Sequence, residues 1–323
     1  MKALQRGAAL LAAMLTVSLV ATFAAAALWQ QWRSVEIESA DRMRVQSSWI
    51  LTGALDWARL ILREDARSGA ADYLSEPWAL PLKEARLSTF LAADTQHSVD
   101  TAATGDADNV FLSGEITDMQ AKLNVTSLVE AAVIQDARLE AFRRLFDLLG
   151  LPQAQLARMA ENLRFASDIS TDNRNAARAP LMPQRVEQLV WLGLTADTVA
   201  ALEPYVTVLP AATPVNLNTA SAEVIYAVGK NFSLADAQRL VAERERQYFR
   251  SMGDVTKLLP PGASFAPNTT SLGSSFFEVR GRLRIDQVVI EERSLVQRNG
   301  LEVRTLQRER GAFEQFTQAP GRP

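Results

Sequence analysis

Two basic residues, Lys2 and Arg6, precede a run from Ala8 to Trp32 that carries no charge. No other feature restricts the chain as much. Roughly 20 apolar residues span the hydrocarbon core of a bilayer as a helix, so this run is long enough to cross one with some tilt. Trp29 and Trp32 stand at its far end, where amphipathic rings favour the membrane interface, and Arg33 closes it. The basic flank keeps the N-terminal side in the cytoplasm and sends the remainder outward. Three readings stay open on these residues. A cleavable secretory signal would use the small residues around Ala24 to Ala27, although the apolar stretch before them exceeds the usual h-region. A plain uncleaved anchor fits the length and leaves Gly7 without a role. A short basic leader cut after Gly7 keeps the helix and starts it with a free amine on Ala8.

The helical pattern does not stop at Trp32. From Asp41 to Arg63, Ile50, Ala54, Trp57 and Ile61 recur at helical spacing, and so do Leu51, Leu55, Ala58 and Leu62. Together they predict one broad buried face on a continuous shaft, apolar at first and amphipathic later. Gly53 costs roughly 1 kcal/mol relative to Ala and does not end a segment this long. A shaft of this kind suits a subunit that packs beside other shafts.

The 323 residues allow two domains, and a net charge of -3 offers no strong field for nucleic acid or an anionic surface. There is no cysteine, which excludes disulfides, thiolate metal sites and a cysteine nucleophile. The one histidine, His97, lies in the polar stretch Asp94 to Asn109 and reads as a solvated loop residue. No nucleophile elbow, zinc helix, P-loop or dinucleotide fingerprint is present. The chain does not read as an enzyme.

Beyond Ser68 the segment "GAADYLSEPWALP" reads as a loop, and "VFLSGEITDMQAKLNV" as a short strand running into a turn. Helical patterns then hold from Leu128 to Leu202. Leu139, Phe142, Leu145 and Phe146 form one stripe, and Gly150 with Pro152 marks a stop and restart. Leu181, Val186, Leu189 and Val190 form another. "LPAATP" is a compact linker, followed by helices over 220–227 and 235–247, the first capped by Asn218 or Thr219. The period then changes to two: Phe277, Val279, Leu283 and Ile285 alternate with charged residues, and Gly281 takes an inward place as a bulge or close contact. Asn299-Gly300 predicts a type I′ hairpin between the last two strands. A helical block set between a first strand and the rest reads as an insertion.

The stretch from Pro214 to Leu259 resembles helix-hairpin-helix modules, which bring backbone N–H groups of a Gly-hydrophobic-Gly turn against DNA phosphates. Here Gly229 stands alone before Lys230-Asn231-Phe232, and the charges around it nearly cancel. A scaffold for packing or a protein partner is the better reading. The competing reading is a membrane-anchored DNA-uptake protein, and loss of DNA retention on replacing Lys230 and Arg239 would separate the two.

Taken together, the pieces resemble the K-type minor pseudopilin family of type II secretion systems over nearly the whole chain. The carriers are "QRGAALLAAML", "EPWALPL", "ITDMQAKLNVTSLV", "PVNLNTASAEVI", "YFRSMGDVTKLL" and "SSFFEVRGRLRI". The resemblance implies an α+β fold: a pilin-like long N-terminal helix on a small antiparallel sheet, with a large all-α insert of two SAM-like or helix-hairpin-helix-like subdomains. Its parts would be a leader over 1–7, a transmembrane segment over 8–32 and a pilin-like part over 33–123. Insert halves over 124–207 and 208–271 and closing strands with a tail over 272–323 complete it. It implies cleavage by a prepilin peptidase between Gly7 and Ala8, N-methylation of Ala8, and a single-pass protein of the inner membrane with its main domain in the periplasm. The implied partners are I- and J-type minor pseudopilins, with the H type a further candidate, the secretion machinery and its substrates; nucleic acid is not among them. The implied role is at the tip of a periplasmic pseudopilus that supports export of folded proteins.

Most pilin-like subunits carry a glutamate at mature position five, and Ala12 stands there in this chain. A buried glutamate pairs with a neighbour's amine because an unpaired charge in an apolar bundle is costly. A subunit at the tip has no neighbour above it to neutralise. Family members often have an Asp-rich loop suggestive of calcium. Here "RFASDISTDNRN" supplies only Asp168, Asp172 and Asn173, too few for an ion that takes about 6–8 oxygens.

Overall fold

The computed structural model describes residues 4–69, 71–89, 109–168, 178–286 and 288–311. The polar stretch containing His97 lies outside them, apart from Asn109. The chain divides into two compact units, 1–53 and 54–323. A single helix, α1 (Leu4–Ser68), begins in the first and ends in the second. In the first unit Leu10, Met14, Val17, Phe23 and Leu28 are all exposed. A helix apolar on every side and bare of protein is suited to lipid rather than to a core.

The second unit is built on a five-stranded antiparallel sheet. Its strands are β1 (Leu82–Arg86), β2 (Val110–Asp118), β3 (Phe276–Ile285), β4 (Val288–Asn299) and β5 (Glu302–Gly311), in spatial order β1-β2-β3-β4-β5. β2 and β3 are neighbours in the sheet although residues 119–275 separate them in sequence, so the helical block is an insertion between adjacent strands. The expected alternation holds in part: Phe277, Val279 and Leu283 are buried on one face and Arg280, Arg282 and Arg284 are partly exposed on the other, but Phe276 and Glu278 at the start of β3 are buried as well and Ile285 is only partly covered. Gly281 pairs with Gly114 of β2, where an added Cβ would come 2.8 Å from the Arg280 carbonyl oxygen. That is a close backbone approach at Gly114, and the unbroken register through Gly281 leaves no bulge there.

The inner face of the sheet packs on α1. Leu55, Ala58 and Leu62 meet Trp78, Phe277, Val279, Val296 and Val303, with the Trp78 ring edge-on to Phe277 at 5.2 Å. Each such large apolar side chain contributes about 1.5–3 kcal/mol by leaving water. The broad face expected for α1 proves narrower. The row Leu51, Leu55, Ala58, Leu62 is buried, whereas Trp57 remains 43% exposed and Ile50, Ala54 and Ile61 are only partly covered. A helix laid on one sheet buries one stripe, and the second row falls on its flank.

Within the insert, α2 (Asp136–Leu148) and α3 (Gln153–Ser167) meet at the predicted break, with Gly150 at φ +66° and Pro152 ahead of α3. α3 buries Leu156, Met159, Ala160 and Leu163, one helical face. The next apolar stripe is not α-helical. Residues 186–192 form a 3₁₀ helix, whose three residues per turn align Val186, Leu189 and Leu192. Leu189 and Leu192 are therefore buried, while Val190 is 42% and Leu181 71% exposed. α4 (Ala196–Leu202), α5 (Ala222–Val228), α6 (Leu234–Arg246) and α7 (Met252–Thr256) follow. Two-residue parallel pairs close each half at its root, 123–124 on 206–207 and 215–216 on 270–271. One apolar cluster, from Leu123 to Val255, draws on both halves.

Two local expectations are corrected. Helix α5 is capped by Ser221, whose hydroxyl accepts from Val224 N–H, and not by Asn218 or Thr219. The last hairpin turns on Gly300-Leu301, and only the first of these has positive φ (+57°). That is the type II′ pattern rather than I′, because Asn299 is held in the ladder opposite Glu302.

Candidate functional site

The buried polar groups gather where the insert leaves and rejoins the sheet. Asp118, the last residue of β2, is 2% exposed, and its hydrogen-bond partners among the described residues are neutral. Its Oδ2 accepts from Asn216 Nδ2 (3.0 Å), Thr219 Oγ1 (2.6 Å) and Ser274 Oγ (2.6 Å), and its Oδ1 accepts from the Gln120 N–H (2.8 Å). Burial pushes its carboxyl above the usual range against the pull of these four bonds. Asn216 also donates to the Asp72 carbonyl at 3.1 Å, and Gln120 bridges Pro214 and Ser275. One side chain thus holds the exit of the insert at 118–120, its midpoint at 216–219 and its return at 274.

A second cluster adjoins the first. Arg298 of β4 donates to Asp65 Oδ2 of α1 at 2.6 Å, to Asp72 Oδ1 and to the Ser274 carbonyl at 2.9 Å. Its guanidinium also lies 4.9 Å from the centre of the Phe277 ring. Asp72 Oδ2 accepts from the Ser274 N–H at 2.6 Å. Glu76 accepts from the Tyr73 N–H (2.9 Å) and from Trp78 Nε1 (2.7 Å). One carboxylate oxygen each from Asp65, Asp72 and Glu76 lies within 4.8 Å of the others. Burial raises Glu76 to about 7, with hydrogen bonds opposing and the neighbouring carboxylates adding to the rise. Burial likewise holds Asp72 up against its ion pair with Arg298, which is itself raised by the two aspartates despite its own desolvation. Tyr73 stacks flat on Tyr248 after α6, with ring centres 3.7 Å apart.

On the other side, the insert faces the outer surface of the sheet across a cavity of about 110 Å³ whose lining includes Lys122, Glu203, Glu278, Arg280 and Arg293. Lys122 Nζ donates to the Glu203 carbonyl at 2.9 Å, and burial lowers its pKa. Charges of both signs line this cleft. The junction is therefore buried and hydrogen-bonded on the inner side and charged on the outer.

The residues singled out by sequence are scattered. Gly7 and Ala8 fall in the first turns of α1, and Ala12 is an exposed helical residue. Asp168 follows the last turn of α3, its N–H donating to the Phe165 carbonyl, while Asp172 and Asn173 lie outside the described residues. The helix-hairpin-helix turn is engaged by protein. The Gly229 N–H donates to the Ile225 carbonyl, the Phe232 ring folds over its Cα, and residues 229–230 pair with 264–265. Lys230 is exposed, and Arg239 is held by Asp236 and the Leu258 carbonyl.

The polar junction was not singled out in the sequence, yet a signal for it existed. Glu76 and Trp78, Asp118 and Gln120, Asn216 and Thr219, Tyr248, and Ser274 with Phe277 come from five of the six stretches that carry the family resemblance. The fold brings those five stretches to one place.

Comparison with known proteins finds similarity over nearly the whole chain. Two family models, both described as type II secretion system (T2SS), protein K, match residues 121–211 and 215–273. The type II secretion system protein K of Pseudomonas aeruginosa is 27% identical over 94% of this chain and 89% of its own length. That of Pectobacterium carotovorum is 25% identical over 97% and 98%. The crystal structure of the GspK–GspI–GspJ complex from the type 2 secretion system of enterotoxigenic Escherichia coli aligns with a TM-score of 0.58 at 16% identity. The match covers 84% of this chain and 98% of that one, which shows a shared fold.

Proposed function

We propose, from the membership of this chain in the type II secretion system protein K family, that it forms the tip of a periplasmic pseudopilus and supports export of folded proteins across the outer membrane. α1 anchors it as a single pass in the inner membrane with the N-terminus cytoplasmic. A prepilin peptidase removes residues 1–7 and Ala8 is N-methylated. The relative from Escherichia coli is a complex of GspK with GspI and GspJ; by analogy I- and J-type minor pseudopilins are the partners of this chain, in a structural and not a catalytic role.

The observation that carries this reading is the insertion itself. A large helical block leaves between β2 and β3, neighbours in the sheet, and is fastened at its root by Asp118, Asn216 and Ser274. A bulky block fastened by buried hydrogen bonds on an anchored subunit suits a terminal position, where nothing has to be added above it. Ala12 supports the same place, since it brings no buried carboxylate that would need a neighbour's amine.

The first test is the intact mass and N-terminal residue of the protein isolated from the membranes of its host. A start at N-methylated Ala8 is expected. A start near Ala27 would mean a cleaved signal peptide and would remove the anchor from the proposal. Ala12→Glu should then weaken secretion or shift crosslinks to the partner subunits, and unchanged secretion with unchanged crosslinks would leave Ala12 without the role assigned to it.

A further inference from the structure

We propose that Tyr73 and Tyr248 form a site of oxidative modification, at which a peroxide-driven one-electron oxidant joins the two rings by a carbon–carbon bond and ties the insert to the loop after the shaft helix. The rings are parallel within 2°, and their centres lie 3.7 Å apart. Aromatic pairs usually sit at roughly 4.5–7 Å, so these two overlap ring over ring. The backbone holds them there from both sides. The Tyr73 N–H donates to Glu76 Oε2 at 2.9 Å, and the Tyr73 carbonyl accepts from the Glu76 N–H at 3.2 Å. Beside Tyr248, the Phe249 N–H donates to Asn218 Oδ1 (2.9 Å) and the Phe249 carbonyl accepts from Asn218 Nδ2 (3.0 Å). Both tyrosines stand outside helices and strands and are only partly covered, which leaves them open to a small oxidant. Their hydroxyls meet at one end of the stack. Burial raises the Tyr73 phenol above its ordinary value, and Glu76 and the adjoining Tyr248 phenol add to the rise.

The chemistry follows from that overlap. A phenol is still protonated at neutral pH, so it gives up its electron and its hydroxyl proton together. The unpaired electron left behind is shared between the oxygen and the ring carbons ortho to it, in orbitals perpendicular to the ring. In a flat stack those orbitals point across the gap at the partner. Once both phenols are oxidised, two ortho electrons pair as one carbon–carbon bond. The hydrogen on each joined carbon then moves to its own ring's oxygen, which restores two phenols. The pair has lost two electrons and two protons in all; hydrogen peroxide, acting through a haem peroxidase, takes both and leaves as two waters. Rings already in contact couple far more readily than rings that must meet by diffusion. The chain has no cysteine, so no disulfide can make this tie.

The test exposes the full chain in detergent micelles to hydrogen peroxide and a haem peroxidase, followed by trypsin and mass spectrometry. The expected main cross-link joins peptides 68–83 and 247–250, lighter than their sum by two hydrogens and carrying dityrosine fluorescence. Its yield per chain should be unchanged on about tenfold dilution, because the coupling is within one molecule. Tyr73→Phe and Tyr248→Phe each keep a ring in the stack and remove one phenol; either should lower the product about tenfold or more, and so should unfolding in urea before oxidation. The cross-linked chain should also unfold at a higher temperature, since the bond restricts the unfolded state. Absence of this peptide pair, a yield that falls with dilution, products only between chains or from Tyr205 and Tyr226, or a product that survives either substitution overturns the site. An unchanged thermal midpoint overturns the tie. The site stands apart from the place of the subunit in the pseudopilus, which the N-terminal mass tests by itself.

Discussion

Replacing Asp118 by Ala should destabilise the second unit by about 3 kcal/mol, and the structure gives the terms. The substitution deletes four hydrogen bonds. Asn216 Nδ2 keeps acceptors in the Asp72 carbonyl and Ser274 Oγ, and the Thr219 hydroxyl keeps only a 3.4 Å contact to the Asn216 carbonyl. The Gln120 N–H and the Ser274 and Thr219 hydroxyls are then left buried with poor partners or none, at about 1–3 kcal/mol each. Against that loss stands relief from burying a polar carboxyl group, which is worth several kcal/mol. The difference leaves about 3 kcal/mol, or about a hundredfold in the folded-to-unfolded ratio. Urea unfolding of the full chain in detergent micelles, followed by near-UV circular dichroism, reads it. Ser274→Ala alone and in combination completes a double-mutant cycle, and groups in direct contact should couple by at least about 1 kcal/mol. Ser233→Ala, at the cap of α6, should add independently. A variant within about 0.5 kcal/mol of wild type, or an additive cycle with Ser274, would refute the view that Asp118 fastens the insert.

Four further outcomes follow from named contacts. Leu62→Ala, in the buried row of α1, should cost about 2–5 kcal/mol in the same unfolding assay, while Trp57→Ala on its half-exposed flank should cost clearly less; equal losses would contradict the narrow stripe. Ala131 and Ala132 hold φ of +50° and +60° in a two-residue turn between Glu130 and Val133, a strain of roughly 1–2 kcal/mol per residue. The pair Ala131→Asn with Ala132→Gly should raise stability by about 1–2 kcal/mol, and no gain in thermal midpoint would count against the strain. Gly229→Ala should lose about 1–3 kcal/mol, because the new Cβ would lie 2.7 Å from Phe232 Cδ1; a neutral result would show that the ring is free to move. Lys230→Ala with Arg239→Ala should leave retention of labelled duplex DNA by the full chain at the background of a control micelle, and a salt-dependent loss would revive the DNA reading.

The sequence by itself determined whatever depends on local repetition. The uncharged run Ala8 to Trp32, the stripe Phe142-Leu145-Phe146, the break at Gly150 and Pro152 and the alternation from Phe277 to Ile285 are all written in spacings of a few residues. Helix and strand periods act over the same few residues, so the elements could be read directly. Tertiary structure decided which of two equally spaced rows on α1 faces the sheet, because only the sheet's position breaks that tie. It also decided that β1 joins the edge of that sheet: its burial follows no clean alternation, and pairing with β2 defines it. The change from α-helix to 3₁₀ helix over 186–192 depends likewise on what Leu189 and Leu192 pack against. The polar junction needed the fold most of all. Asp72, Asp118, Asn216, Ser274 and Arg298 are ordinary loop and strand residues when read one at a time. A carboxylate has no local period, and its role depends on donors brought from far along the chain after water has been excluded.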